Sequence, residues 1–281
     1  MGQVKGVILA AGYGTRFLPV TRVVPKELLP IVNRPALDLV VQEMADAGIR
    51  DVLVITSRRK RGIEDWFDTD VELEGRVGRE RLQVPTVRAT FLRQAEMKGT
   101  GHALLMAREF AGSDPVVVAF PDDLFGAPNC SASLIAAWRR TGCSVLACGD
   151  LTGQDVSRYG VIDAVREAGE LRVRGIAEKP ARGTEPSHIV SWGRYLYTPE
   201  MFEALAEGWA RHQGDGEFYA TDAITTLARR GRMVAEVVAS PRYDTGDVLG
   251  YLTTVVELGL QHEIHGEAFG AWLRHRLDHL D

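Results

Sequence analysis

Two glycines and two cations near the start of the chain have the spacing of a phosphate-binding loop. In VKGVILAAGYGTRFLPVTRVVPKELLPI, the apolar run at 4–10 breaks into Ala11-Gly12-Tyr13-Gly14-Thr15. Gly12 and Gly14 permit positive φ and let backbone approach a ligand closely. At the carboxyl end of a strand, such a loop turns successive N–H groups toward an anion. Arg16 then supplies a fixed planar charge and Lys26 a mobile one. Pro19, Pro25 and Pro30 stiffen the segment around Lys26, because each fixes φ and restrains the residue before it. Two better-known cradles are excluded: Phe17 stands where G-x-G-x-x-G needs its third glycine, and no Gly-Lys-Ser/Thr follows.

Further chemistry-bearing residues sit just past other apolar runs. Asp122 and Asp123 follow the run at 115–120, where the ligands of an open α/β sheet bind, and Mg²⁺ favours one or two carboxylates beside phosphate oxygens. Gln94 closes the run at 90–94, and its amide carries the donor and acceptor needed to read the imide edge of uracil or thymine.

These residues need a scaffold of parallel strands. Residues 4–10 and 51–56 read as buried strands, with helical apolar spacing over 35–47 and Gly48 as its stop. Strand, loop, helix, strand is a βαβ unit opening a doubly wound sheet. The runs at 90–94, 115–120, 144–149, 189–197 and 233–239 read as further strands. Helices are expected from Ala103, over 199–209 and through most of the chain from Val248, with Asp247 as an N-cap. The fold class is α/β: one domain with a Rossmann-like, doubly wound mixed sheet and C-terminal helices.

Composition removes several functional classes. A net charge of −5 over 281 residues gives no general affinity for nucleic acid or an anionic membrane. No apolar run has the length of a membrane span and the start lacks a signal peptide's core, so the expected location is cytoplasmic. Cys130, Cys143 and Cys148 have no C-x-x-C spacing and read as reduced structural thiols, with no zinc site. The basic run at 57–61 reads as a solvated loop. Apolar stripes through Val255, Val256 and Leu260, then Phe269, Trp272, Leu273 and Leu277, read as core or subunit contact. His262, His265, His275 and His279 have helical spacing, and nothing else marks them as metal ligands.

LAAGYGTRFLP followed by PKELLPI resembles the signature of the sugar nucleotidyltransferases, most nearly the bacterial UTP–glucose-1-phosphate uridylyltransferases. The resemblance continues in order through WFDTDVELE at 66–74, RQAEMKGTGHA at 93–103, VSRYGV at 156–161, IAEKP at 176–180, IVSWGRYLY at 189–197, EFYATDA at 217–223 and YDTGD at 243–247. Departures are a short segment between Glu74 and Thr90, Ala95 and Thr100 within RQAEMKGTGHA, Gly216 in place of an acid and Tyr219 in place of a glutamine.

That resemblance implies Mg²⁺-dependent transfer of a uridylyl group from UTP to glucose 1-phosphate, with release of pyrophosphate. Residues 1–150 would form the nucleotide half, 151–246 the sugar-phosphate half and 247–281 the C-terminal helices. Arg16, Lys26 and Lys179 would be the catalytic cations, and Asp122 and Asp244 the metal ligands. Ala11, Gly12, Gly14, Thr15, Glu27, Gln94, Gly99 and Asp123 would contact the nucleotide. Gly160, Glu178 and Lys179 would contact the sugar phosphate, while His102 reads as a helix-start residue rather than a base. The implied partners are UTP and a sugar 1-phosphate, without nucleic acid or membrane, in a homodimer or homotetramer. Gln94 also fits thymine and Tyr219 departs from the pattern, so dTTP or another sugar 1-phosphate stays open, as does a non-catalytic nucleotide-sugar-binding paralogue.

Overall fold

Alternating apolar side chains along the strands build two cores, one on each face of a single mixed sheet. The structure is a computed structural model that describes residues 2–78, 82, 85–212 and 216–279. Strands β1 (Lys5–Leu9), β2 (Asp51–Thr56), β3 (Arg88–Arg93), β4 (Val116–Ala119), β5 (Ser144–Asp150), β6 (Gly160–Glu167), β7 (Glu170–Glu178), β8 (Ile189–Tyr197) and β9 (Met233–Val237) form it. Their order is β3-β2-β1-β4-β8-β5-β9-β7-β6. The helices used below are α1 (Ala36–Asp46), α2 (Arg61–Phe67), α3 (Thr100–Leu105), α4 (Cys130–Thr141), α5 (Glu200–Arg211), α6 (Thr221–Arg229), α7 (Val248–Leu260) and α8 (Gly266–Leu277).

Ile8, Val52, Val54, Val117 and Ala119 face one core with α1 and α4. Val7, Leu53, Ile55, Val116 and Val118 face the other with α3, α5 and α6. Such two-sided burial is what a sheet covered by helices on both faces demands. The first four strands pair parallel, with Ile8 opposite both Val54 and Ala119, and Thr56 opposite Arg93. Their carboxyl ends therefore share one edge, and the loops after β1, β3 and β4 open there.

The remaining strands bring the second half of the chain to that edge. β8 runs antiparallel between β4 and β5, pairing Arg194 with Ala119 and Ile189 with Asp150. The hairpin β6–β7 pairs Gly160 with Glu178, and Val161 meets Val190 at the start of β8. This hairpin was absent from the sequence expectation. Its strands are only half-buried and rich in charge, so no apolar run marks them, and the turn is made by Ala168 and Gly169 at φ 51° and 85°. A short antiparallel pair, Asp123–Phe125 with Arg242–Asp244, was also unforeseen, and it sets Asp244 opposite Asp123. The helix expected from Ala103 begins at Thr100.

Arg194 is fully buried at the centre of this arrangement. Its Nη2 donates to Glu43 Oε2 at 2.6 Å and to the Asp123 carbonyl at 3.3 Å. Glu43 Oε1 also accepts from the Ser131 N–H and hydroxyl at 2.9 and 2.6 Å, at the start of α4. One ion pair thus joins α1, α4, β8 and the Asp123 backbone. The three cysteines are free and buried, and burial pushes the Cys148 thiol up to about 12. Among the described residues no helix is long and apolar enough to cross a membrane.

Glu43→Gln leaves the Arg194 charge buried without its counter-ion, and a loss of about 3–5 kcal/mol in unfolding free energy is expected. Urea titration checks this; a midpoint near the parent's would show that the pair does not tie these elements together.

Candidate active site

The loop after β1 builds one wall. Of its two glycines, Gly14 alone lies at positive φ, 68°, where it leads into a tight turn at Thr15–Phe17. Gly12 does not share that conformation, contrary to expectation; the turn needs only one left-handed residue. Gly12 instead leaves room, with no atom within 4 Å of where a Cβ would stand. Thr21 Oγ1 closes the loop by donating to the Gly14 carbonyl at 2.8 Å. Ala11 is buried beside it, and Arg16 reaches across to donate to the Gly246 carbonyl at 3.2 Å.

Lys26 forms an ion pair with Asp122, which lines the cleft. Burial works against both charges, yet the mutual attraction prevails. Lys26 is held above its ordinary pKa, helped by Glu27, and Asp122 is held below the usual carboxylate range.

Glu27 itself does not face the cleft. Its carboxylate is 1% exposed and takes Lys60 Nζ on both oxygens, at 2.7 and 2.8 Å. The expected nucleotide contact is therefore corrected: Glu27 is a buried anion beneath Lys26. Lys60 is likewise not part of a solvated loop, although its neighbours Arg58 and Arg59 are exposed. Burial lowers the Lys60 pKa, with Glu27 opposing. Nothing in the basic run singles Lys60 out.

The strand pair 123–125 and 242–244 supplies the opposite wall. Asp123 is buried, with one oxygen taken by Arg242 Nε and the other by the Gly193 N–H. Each oxygen thus has one protein donor, and Asp123 lines the same cavity as Asp122 and Asp244. Arg242 also donates to Asp244 Oδ2 at 3.2 Å. The sequence reading missed Arg242, although alternation along a strand places it on the same side as Asp244. The Thr245 N–H and hydroxyl both donate to the Asp122 carbonyl, at 2.8 and 3.0 Å. That contact brings the two expected metal carboxylates together. A Cβ built on Gly246 would stand 3.0 Å from Asp244 Oδ1 and 3.6 Å from both Asp122 Oδ2 and Arg16 Nη1.

Glu178 and Lys179 are exposed at the end of β7, with carboxylate and ammonium 3.9 Å apart. Lys179 lies at φ 46°, and its N–H donates to the Tyr159 carbonyl at 3.1 Å. Gln94 is buried at the end of β3; its Nε2 donates to the Gly99 carbonyl at 3.2 Å. Gly99 is at φ 89°, and a Cβ there would lie 2.5 Å from the Phe218 carbonyl oxygen, so no other residue fits. Tyr219 donates to Glu217 Oε2 at 2.6 Å.

Two cavities join the carboxylate wall to Glu178 and Lys179; Lys26, Gln94 and Gly99 line neither. One of about 550 Å³ is lined by Leu9, Thr100, Gly160, Glu178, Tyr195 and Tyr219. The second, about 480 Å³, is lined by Arg16, Asp122, Asp244 and Arg242. Phe120, Arg158, Tyr159 and Lys179 line both, so the cavities meet at two cations. The arrangement can hold polyanions against one another beside paired carboxylates. Residues 5–259 match the model of the Nucleotidyl transferase family.

The chain belongs to that family. A UTP–glucose-1-phosphate uridylyltransferase 2 of Staphylococcus saprophyticus is 40% identical over 278 residues, covering 94% of each chain. A UDP-glucose pyrophosphorylase solved with UDP-glucose superposes with a TM-score of 0.82 at 34% identity, over 93% of this chain and all of that one. The UTP-bound UGPase of Acinetobacter baumannii gives a TM-score of 0.86 at 29% identity, over 97% of this nucleotidyl transferase and 99% of that chain.

Lys60→Met would leave Glu27 buried without a partner, and a cost of about 3 kcal/mol or more is expected. Exposed Arg59→Ala should stay within about 0.5 kcal/mol of the parent. Thermal unfolding of both variants side by side checks the contrast; equal effects would mean that Lys60 is an ordinary surface lysine.

Proposed function

We propose that this nucleotidyl transferase joins UTP and glucose 1-phosphate, giving UDP-glucose and pyrophosphate. The observation that carries the reading is the convergence of Asp122, Asp244 and Arg16 on one point at the carboxyl edge of the parallel strands, with Lys26 paired to Asp122. The relatives named for this activity, or solved with UTP or UDP-glucose, support the choice of substrates.

In the reaction, an oxygen of the sugar phosphate attacks the α-phosphorus of UTP in line, and pyrophosphate leaves. The attacking monoester has its second pKa at about 6, so it is already a dianion at neutral pH and needs no general base. The work left to the protein is bringing two polyanions together and offsetting charge as it moves. Arg16 and Lys26 would hold the triphosphate and the departing pyrophosphate, with N–H groups of the Ala11–Thr15 loop around them. Lys179, at the junction of the cavities, would hold the attacking phosphate, and Glu178 would accept from sugar hydroxyls. Gln94 and Gly99 would face the base.

Asp122 and Asp244 would hold Mg²⁺. Two hard carboxylate oxygens without a closed cage suit this ion, which keeps positions for phosphate oxygens. When bound, it would neutralise phosphate charge and polarise the phosphoryl group. The buried free thiols fit a reducing cytoplasm. Apolar side chains exposed on α7 and α8, among them Leu249, Leu252 and Trp272, fit association into a homodimer or homotetramer.

Pyrophosphate release from UTP and glucose 1-phosphate tests the activity, and none with Mg²⁺ present would refute it. Asp122→Ala is expected to lower turnover by roughly a hundredfold or more while the protein stays folded. Chelation by EDTA should abolish release and added Mg²⁺ restore it; release that persists in EDTA would remove the metal from the scheme. Lys179→Ala should raise the KM for glucose 1-phosphate more than that for UTP, and equal effects would contradict its placement on the acceptor phosphate.

A further inference from the structure

The amide of Gln94 is held in one orientation by its neighbours. Its Nε2 is 3.2 Å from the Gly99 carbonyl oxygen and 3.0 Å from His102 Nδ1. A carbonyl oxygen only accepts, so the amide end beside Gly99 must be the NH2 group. Its two hydrogens go to Gly99 and to His102, whose Nδ1 must then be the unprotonated ring nitrogen. Burial and the nearby Lys98 ammonium hold the His102 pKa below its ordinary value, against Glu96, so the ring is neutral at neutral pH. Packing fixes the ring as well: it is tilted at 47° against Trp209 with centroids 4.9 Å apart, and Trp209 meets Phe218 edge-on at 5.5 Å. Among the described residues no donor reaches Gln94 Oε1.

We infer that His102 is a positioning residue for base selection, which presents Gln94 to the base as an acceptor alone. The inference rests on the proposed nucleotide reading, in which Gln94 faces the pyrimidine. An acceptor can take the N3–H of uracil. Cytosine offers a bare N3, another acceptor, and the contact becomes lone pair against lone pair. Discrimination then comes from a mismatch built against the wrong base as much as from the bond to the right one. Without an acceptor at position 102 one of the two bonds that hold the amide is lost, and turning its NH2 toward cytosine costs correspondingly less.

The test is the ratio of kcat/KM for UTP to that for CTP, with glucose 1-phosphate and Mg²⁺, in the parent, His102→Phe and His102→Asn. Phenylalanine keeps a ring against Trp209 without an acceptor, whereas asparagine returns an amide oxygen near the position of Nδ1. The ratio is expected to fall roughly tenfold in His102→Phe and to recover in His102→Asn. An undiminished ratio in His102→Phe, or an equal fall in both variants, overturns the inference. His102→Leu serves in the same way if the phenylalanine variant does not fold. A parent protein inactive on UTP overturns the proposed activity first, and this inference with it.

Discussion

Asp123 is the tie on which the site's geometry depends. Its side chain takes Arg242 on one oxygen and the Gly193 N–H on the other, and its carbonyl accepts from the buried Arg194. Three segments distant in sequence therefore meet at one residue. Next to it in the chain stands Asp122, whose carbonyl takes both donors of Thr245. A carboxylate kept inside the protein lets its neighbour project into the cleft at a fixed place. Removing charge from water is costly, and a donor on each of its two oxygens offsets that cost for Asp123.

The same construction recurs beneath the other wall. Lys26 rises from a turn whose neighbour, Glu27, is buried on Lys60. Asp122 and Lys26 are thus each adjacent to a residue that is buried and paired. The two layers divide the labour between rigidity and access. A mobile ammonium such as Lys26 gains a defined position from its pairing with Asp122 and from the anion below it.

The sequence made the chemistry of the first layer legible and left the second layer hidden. Gly14, Arg16 and Lys26 act within one loop, and the helix α1 and strand β2 follow from local periodicity and a glycine stop. Asp122 and Asp244 could be found from their positions after apolar strands and from the resemblance of their surroundings. The buried pairs are a different kind of information. Lys60 and Glu27 are 33 positions apart, Arg242 and Asp123 are 119, and Arg194 and Glu43 are 151. No spacing rule reaches that far, and a charged residue read singly is assigned to water because most are. The β6–β7 hairpin escaped for a related reason: its half-exposed strands carry too little apolar contrast to announce themselves.

Lys179 shows what such a scaffold permits. A residue with a side chain in the left-handed region, here at φ 46°, carries a steric penalty of about 1–2 kcal/mol that glycine would not. The bond from its N–H to Tyr159 and the β7 strand before it hold the chain in that bend. Glycine would be the easier residue for the backbone, but it has no ammonium to offer. The bend turns the chain at the point where the two cavities join, and the lysine puts its charge there. On the proposed reading of the site, folding and chemistry want different residues at this position, and the chain carries the one that chemistry wants.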